Sequence, residues 1–209
     1  MNSRILAGHM IRWLIIAMAS IVLCAVLFSQ SSFRVEEAVR KALNMLELPY
    51  APVSERVKTG QGYELLQIVD KENGMYHHLY VRKTLGLFWS YRGGGGGTPF
   101  KDDTVINFQG GYSTFGKYRH HYYMGQVVDP KVNKVRIVWW DGEEQDAAIR
   151  NGAYLAARSY RIPKKEAEAK GTNRLFAYDA SGALLYELDE EKREIKQAVD
   201  KQQPSSLQR

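Results

Sequence analysis

Residues 63–83 read YELLQIVDKENGMYHHLYVRK, and this stretch decides the fold class. Tyr63–Asp70 carries apolar residues in the short, turn-bounded pattern of a strand. Lys71-Glu72-Asn73-Gly74 follows as a hairpin turn in which glycine supplies the positive φ. Met75–Lys83 then returns as the antiparallel partner.

Downstream, the same short-period pattern continues. Leu85–Tyr91 is expected to be a third strand, kinked at Gly86. Gly93–Gly97 is a run of five glycines and reads as a flexible connector. Val105–Phe108, Tyr122–Val128 and Val132–Trp140 are further strands, with Asp129-Pro130 turning between the last two. The segment EEQDAAIRNG (143–152) reads as a short helix or an irregular bend, and Tyr154–Tyr160 as a strand. A charged loop over 163–171 leads to a hairpin of Arg174–Tyr178 and Leu184–Leu188 across the turn Asp179–Gly182. The polar tail from Asp189 is expected to be a solvated helix that frays.

Upstream, FRVEEAVRKALNMLEL (33–48) places Val35, Val39, Leu43 and Leu46 at spacings of three and four. That is an amphipathic helix, with Ser32 as its expected cap, Pro49 as its stop, and a stripe that packs on the sheet. Before it, Trp13–Phe28 (WLIIAMASIVLCAVLF) has no charge. A helix over residues 11–31 is therefore expected to cross the cytoplasmic membrane if Arg12 snorkels, and Arg4, His9 and Arg12 place the N-terminus in the cytoplasm. The alternatives are a signal peptide cleaved near Ser29-Gln30-Ser31 and a buried soluble helix. The anchor and signal readings both put the domain outside the cytoplasm, single-pass in one case and secreted in the other. Leu23 before Cys24 argues against a lipoprotein signal.

The expected fold class is therefore α+β: an N-terminal transmembrane helix, one amphipathic helix, then a β-rich antiparallel sheet or small sandwich. Residues 1–32 form the anchor or signal segment, 33–188 the extracytoplasmic domain, and 189–209 the tail.

With 209 residues, 44% hydrophobic and 25% charged, a chain disordered throughout is excluded. The net charge is +6, but cations and anions are interspersed, as in Asp189-Glu190-Glu191-Lys192-Arg193-Glu194, so no nucleic-acid partner is expected. Cys24 is the single cysteine, which excludes an internal disulfide and thiolate chemistry in the domain.

Four of the five histidines form the doublets His77-His78 and His120-His121. Neighbouring strand residues face opposite ways, so each doublet offers one imidazole to a given face. A histidine-based metal site needs those two strands to be close, and no metal or other cofactor is expected. The glycine run lacks the Lys-Ser/Thr and helix of a phosphate loop. There is no G-x-S-x-G elbow, and Asp102-Asp103 and Glu143-Glu144 are adjacent acids rather than a pair facing across a cleft. An enzyme is not expected.

The binding signal is aromatic and basic. Within GGYSTFGKYRHHYY (110–123), Tyr112, Lys117, Tyr118, Arg119, Tyr122 and Tyr123 are the expected contact residues for a protein or an anionic envelope polymer. Tyrosine and arginine combine large contact area with a polar end.

Taken in order, the helix ending before Pro49, ELLQIVDKENGMYHHLYVRKTLGLFWSYRGG, GQVVDPKVNKVRI and RLFAYDASGALLYEL resemble uncharacterised membrane-anchored or secreted proteins of Gram-positive spore-forming bacteria. The likeness spans roughly residues 35–188 and rests on strand and turn patterns. It implies an N-terminal anchor and an exported β-rich domain, and it carries over no catalytic residue or ligand. The function expected is a membrane-anchored, extracytoplasmic, non-enzymatic interaction module. The alternatives are the histidine metal site or an accessory subunit of a membrane complex, docked through helix 33–48.

Overall fold

The computed structural model describes residues 3–29, 31–100, 105–162, 172–189, 192 and 194–197. The charged segment 163–171 and the tail end 198–209 lie outside them, as does Gln30 of the expected cleavage site. Helix α1 (Ser3–Phe28) is followed by β1 (Ser31–Ser32) and α2 (Val35–Met45). The strands after α2 are β2 (Val53–Gly60), β3 (Tyr63–Asp70), β4 (Met75–Thr84), β5 (Phe88–Pro99), β6 (Gln109–Phe115) and β7 (Tyr118–Gln126). They continue as β8 (Lys134–Val138), β9 (Glu144–Ala147), β10 (Ile149–Arg150), β11 (Ala153–Arg161), β12 (Arg174–Tyr178), β13 (Leu184–Asp189) and β14 (Glu194–Gln197).

The strands form three antiparallel sheets. The first has the order β1-β5-β4-β3-β2, the second β10-β11-β7-β6, and the third β14-β13-β12-β8-β9. Period-two alternation stacks them. Leu66, Ile68, Leu79 and Val81 face α2, whose Val35, Ala38, Val39, Ala42 and Leu43 cover that side of the first sheet. Leu65, Val69, Tyr76 and Tyr80 face the second sheet, where Tyr122, Met124, Leu155 and Ala157 meet them. Tyr154 and Ala156 on the other face of β11 meet Val135, Ile137, Leu175 and Ala177 of the third sheet. The layers are thus helix, sheet, sheet, sheet. Hydrogen bonds tie the two inner sheets together: Gln67 Nε2 donates to the Gly125 carbonyl at 3.3 Å, and Tyr80 Oη to the His120 carbonyl at 3.0 Å.

The β-rich, antiparallel part of the expectation holds, but the membrane-crossing helix does not. Among the described residues, no helix is long and apolar enough to cross a membrane. The uncharged run Trp13–Phe28 rises only about 24 Å as a helix, against roughly 30 Å of hydrocarbon. It cannot be extended to residue 31, because Ser31 and Ser32 are already paired with Ser90 and Trp89 in the first sheet. Arg12 bounds it on the other side.

Other elements differ locally. Ser32 does not cap α2; Arg34 is the N-cap residue and makes no side-chain cap. The glycine run is not a connector but part of β5, paired along β4. A Cβ on Gly94 would overlap the His78 carbonyl, and one on Gly96 would overlap His77 Nδ1 and Leu48 Cδ1. Residues 144–147 and 149–150 form β9 and β10 rather than a short helix or an irregular bend, and residues 194–197 of the tail form β14 rather than a helix.

Candidate interaction surface

The candidate surface grows from the hairpin of β6 and β7. Gly116-Lys117 closes it; Gly116 takes a φ of 61° while Lys117 does not turn left-handed, the type II′ pattern that suits a two-residue loop. Alternation along β7 then sends Tyr118, His120, Tyr122 and Met124 towards the first sheet. Arg119, His121 and Tyr123 go towards the third.

That division separates the residues that the sequence groups together. Tyr122 is 5% exposed, with its ring 4.6 Å from His78, and burial pushes its hydroxyl pKa up to about 12. Tyr123 is half-buried against the core between the second and third sheets, 5.9 Å from Trp139. Both are walls of the core. Tyr118 is half-buried opposite Phe115 and Arg161, and Lys117 is exposed in the turn, its carbonyl accepting from the Ile162 amide at 2.9 Å.

Tyr112 and Arg119 do meet. Tyr112 is 59% exposed, and the Arg119 guanidinium carbon lies 4.7 Å from its ring centre, a cation–π distance. Arg119 Nη1 also donates to Tyr160 Oη at 3.4 Å.

Strand pairing brings in side chains from far along the chain. β7 lies beside β11 with His121 opposite Arg158 and Arg119 opposite Tyr160. The His121 ring is 5.4 Å from Tyr112, 4.6 Å from Trp140 and 5.5 Å from Tyr160, and Trp140 and Tyr160 are 4.6 Å apart. Arg158 covers Trp140 at 5.6 Å and pairs with Asp141. Burial first, and Arg119 second, lower the His121 pKa to about 4, so its ring is neutral at pH 7. The result is an aromatic shelf carrying arginines at its open end. His121, Trp140, Arg158 and Tyr160 were not among the expected contacts. The alternation in Arg158-Ser159-Tyr160 hints at them, but only the register shows that they converge.

The histidine doublets split between faces. His77 lies on the α2 side, accepting the Gly97 amide at Nδ1 (3.0 Å) with Nε2 3.7 Å from Asp70. His120 lies between the inner sheets, with Nδ1 against Ser159 Oγ and 3.1 Å from Thr59 Oγ1. The Ser159 hydroxyl donates to the Thr59 carbonyl and that of Thr59 to the Tyr63 carbonyl at 3.3 Å. His120 Nδ1 thus lies within hydrogen-bond distance of both hydroxyl oxygens, and the contacts tie Thr59 of the first sheet to His120 and Ser159 of the second. His78 and His120 share a layer, with Tyr80 between them at 6.4 and 6.0 Å. Among the described residues, no group of three or more His, Cys, Asp or Glu is placed to hold a metal ion.

No family model, curated protein or solved structure matches the chain. The surface offers flat aromatic area, guanidinium groups held in place by stacking, and an exposed lysine at the turn, which suits an anionic group approaching along β6.

Proposed function

We propose that the domain is a non-enzymatic binding module for an acidic partner, taken up on the shelf of Tyr112, Arg119, His121, Trp140 and Tyr160. The observation that carries this reading is the Arg119 guanidinium held over the ring of the exposed Tyr112. Stacking fixes the cation at the surface and lowers the ordering cost of gripping a carboxylate. Lys117 in the adjoining turn and Arg161 beside Tyr118, both exposed, extend the positive edge. Docking through helix 33–48 is not part of the proposal, because the apolar stripe of α2 is already buried on the first sheet.

The test is retention on immobilised polyglutamate across a salt series. The wild-type chain is expected to be retained at low salt and released as salt screens the contacts. Lys117→Glu with Arg119→Glu should cost roughly 10- to 30-fold in affinity, since surface ionic contacts contribute about 0.2–1 kcal/mol each and reversal adds repulsion. Unchanged retention of that double variant removes the proposal.

A further inference from the structure

Six strands end the three sheets, and because β1 and β10 pair with only two residues each, the rest of β5 and β11 also lies at an edge, where it carries Arg92 and Pro99 in β5 and Arg158 and Arg161 in β11. β1 and β10 are two residues long. β2 carries Glu55, Arg56 and Lys58, β9 Glu144 and Asp146, and β14 Glu194 and Lys196. Short length and charge are the means by which folded proteins keep sheet edges from recruiting another strand. β6 has neither. Its seven residues, QGGYSTF, include no charge and no proline, and no described strand lies on its outer side.

The hairpin loop settles which backbone groups face outward. With a two-residue loop, Phe115 and Tyr118 form the first hydrogen-bonded pair, and hydrogen-bonded and open pairs then alternate. Thr114–Arg119, Tyr112–His121 and Gly110–Tyr123 are the open pairs. The N–H and C=O groups of Gly110, Tyr112 and Thr114 therefore point away from β7. Their side-chain positions lie on the shelf face, beside Arg119 and His121. Phe115, stacked on Tyr63 at 4.6 Å, pins the end of the strand to the first sheet. Gly110 and Gly111 leave the other end flat.

We infer that β6 is a strand-addition edge: an extended acidic segment of a partner protein pairs antiparallel or parallel with Gly110–Thr114, its carboxylates reaching Arg119. This rests on the acidic-partner reading and names its mode. Charge chooses the occupant. The Arg119 guanidinium leans over Tyr112, so it stands above the edge strand itself, and Lys117 adds a second cation at its end. A second copy of this chain would bring the same cations to the same edge. In an alternating segment, every second side chain falls on the shelf face, so acidic residues at that spacing all meet the positive side.

The probe is a fluorescein-labelled heptapeptide alternating valine and glutamate, followed by anisotropy on the full chain. Three comparisons accompany it: the lysine counterpart, the glutamate peptide N-methylated at alternate amides, and the variants Thr114→Pro and Thr114→Val. Proline at Thr114 removes an outward donor without touching the β6–β7 ladder, whereas valine keeps it. The glutamate peptide is expected to bind wild type and Thr114→Val alike. Thr114→Pro and N-methylation should each weaken it about tenfold, the loss of one to three backbone hydrogen bonds. The methylated peptide needs no variant, so the test survives a Thr114→Pro chain that misfolds. Binding that falls with Arg119→Glu but ignores both proline and N-methylation overturns strand addition and leaves the acidic surface standing. Dimerisation through β6 without peptide uptake overturns the acidic occupant. Failure of both the peptide and polyglutamate to bind overturns both readings.

Discussion

Gly94, Gly95 and Gly96 show how one residue type serves different ends within three positions. A side chain at Gly94 would meet the backbone of His78 and Leu79, and one at Gly96 would meet His77 and Leu48. Gly95 has an ordinary φ, and a Cβ there would lie 3.5 Å from His78 Cε1, a normal contact. Gly96→Ala should therefore destabilise by about 1–3 kcal/mol, the cost of forcing an overpacked site, and Gly94→Ala by at least as much. Gly95→Ala should be neutral or stabilise by about 0.4–1 kcal/mol through the unfolded chain. Urea unfolding of the three variants checks this; equal effects at all three would mean that the run is merely flexible. From composition alone the run reads as a linker, because a requirement for absent side chains lies in the neighbours, not in the glycines. The same limit applies at the surface. Tyr112 and Lys117 are exposed and Arg119 is half-buried, but Tyr122 and Tyr123 stand in the same string and are drawn into two different cores.

At the scale of elements, legibility follows burial. The β3–β4 hairpin and α2 are readable because their apolar residues repeat with the period of the element: Leu65 and Leu66 face opposite layers, and α2 buries Val35, Ala38, Val39, Ala42 and Leu43 on one side. β2 and β6 escape a sequence reading because edge strands bury little and so lack an apolar period. β9, with Glu144, Gln145 and Asp146, looks like a bend for the same reason, although it closes the third sheet through Arg136, which bridges to Asp146 at 2.7 Å and Glu144 at 2.6 Å. The energetic counterpart is measurable on α2. Leu43→Ala should cost about 2–5 kcal/mol, since its side chain is 1% exposed in the core between α2 and the first sheet. Glu37→Ala on the solvent side should stay within about 0.5 kcal/mol. Comparable losses from the two would mean that the helix does not pack on the first sheet.

Stacking three sheets and a helix leaves four histidines within or between layers, and this sets how the whole molecule responds to acid. His77 lies on the α2 side of the first sheet and His78 and His120 between the inner sheets, while His121 is part of the aromatic shelf. Burial lowers the pKa of each from the ordinary 6.5, to about 4 for His78 and His121. Asp70 opposes the shift at His77, and Arg119 reinforces it at His121. Between these values the unfolded chain binds more protons than the folded one, so stability rises with pH there. It is fully present above pH 6.5 and declines as pH falls towards 4, with a slope of up to about 1.4 kcal/mol per pH unit for each histidine. The lowered carboxylates, Asp70, Asp129, Asp141, Asp146 and Asp179, add a loss only below their ordinary 3.8. The window from 6.5 to 4 therefore belongs to the imidazoles. Urea midpoints should fall steadily from pH 7 to pH 5, and replacing His78 by Asn should flatten part of that slope. Binding to the shelf should stay level from pH 8 to pH 6, because His121 stays neutral throughout that range. A midpoint that does not move between pH 7 and pH 5 would show that the imidazoles take up protons without disturbing the layers, and the stacked arrangement around His78 and His120 would have to be abandoned.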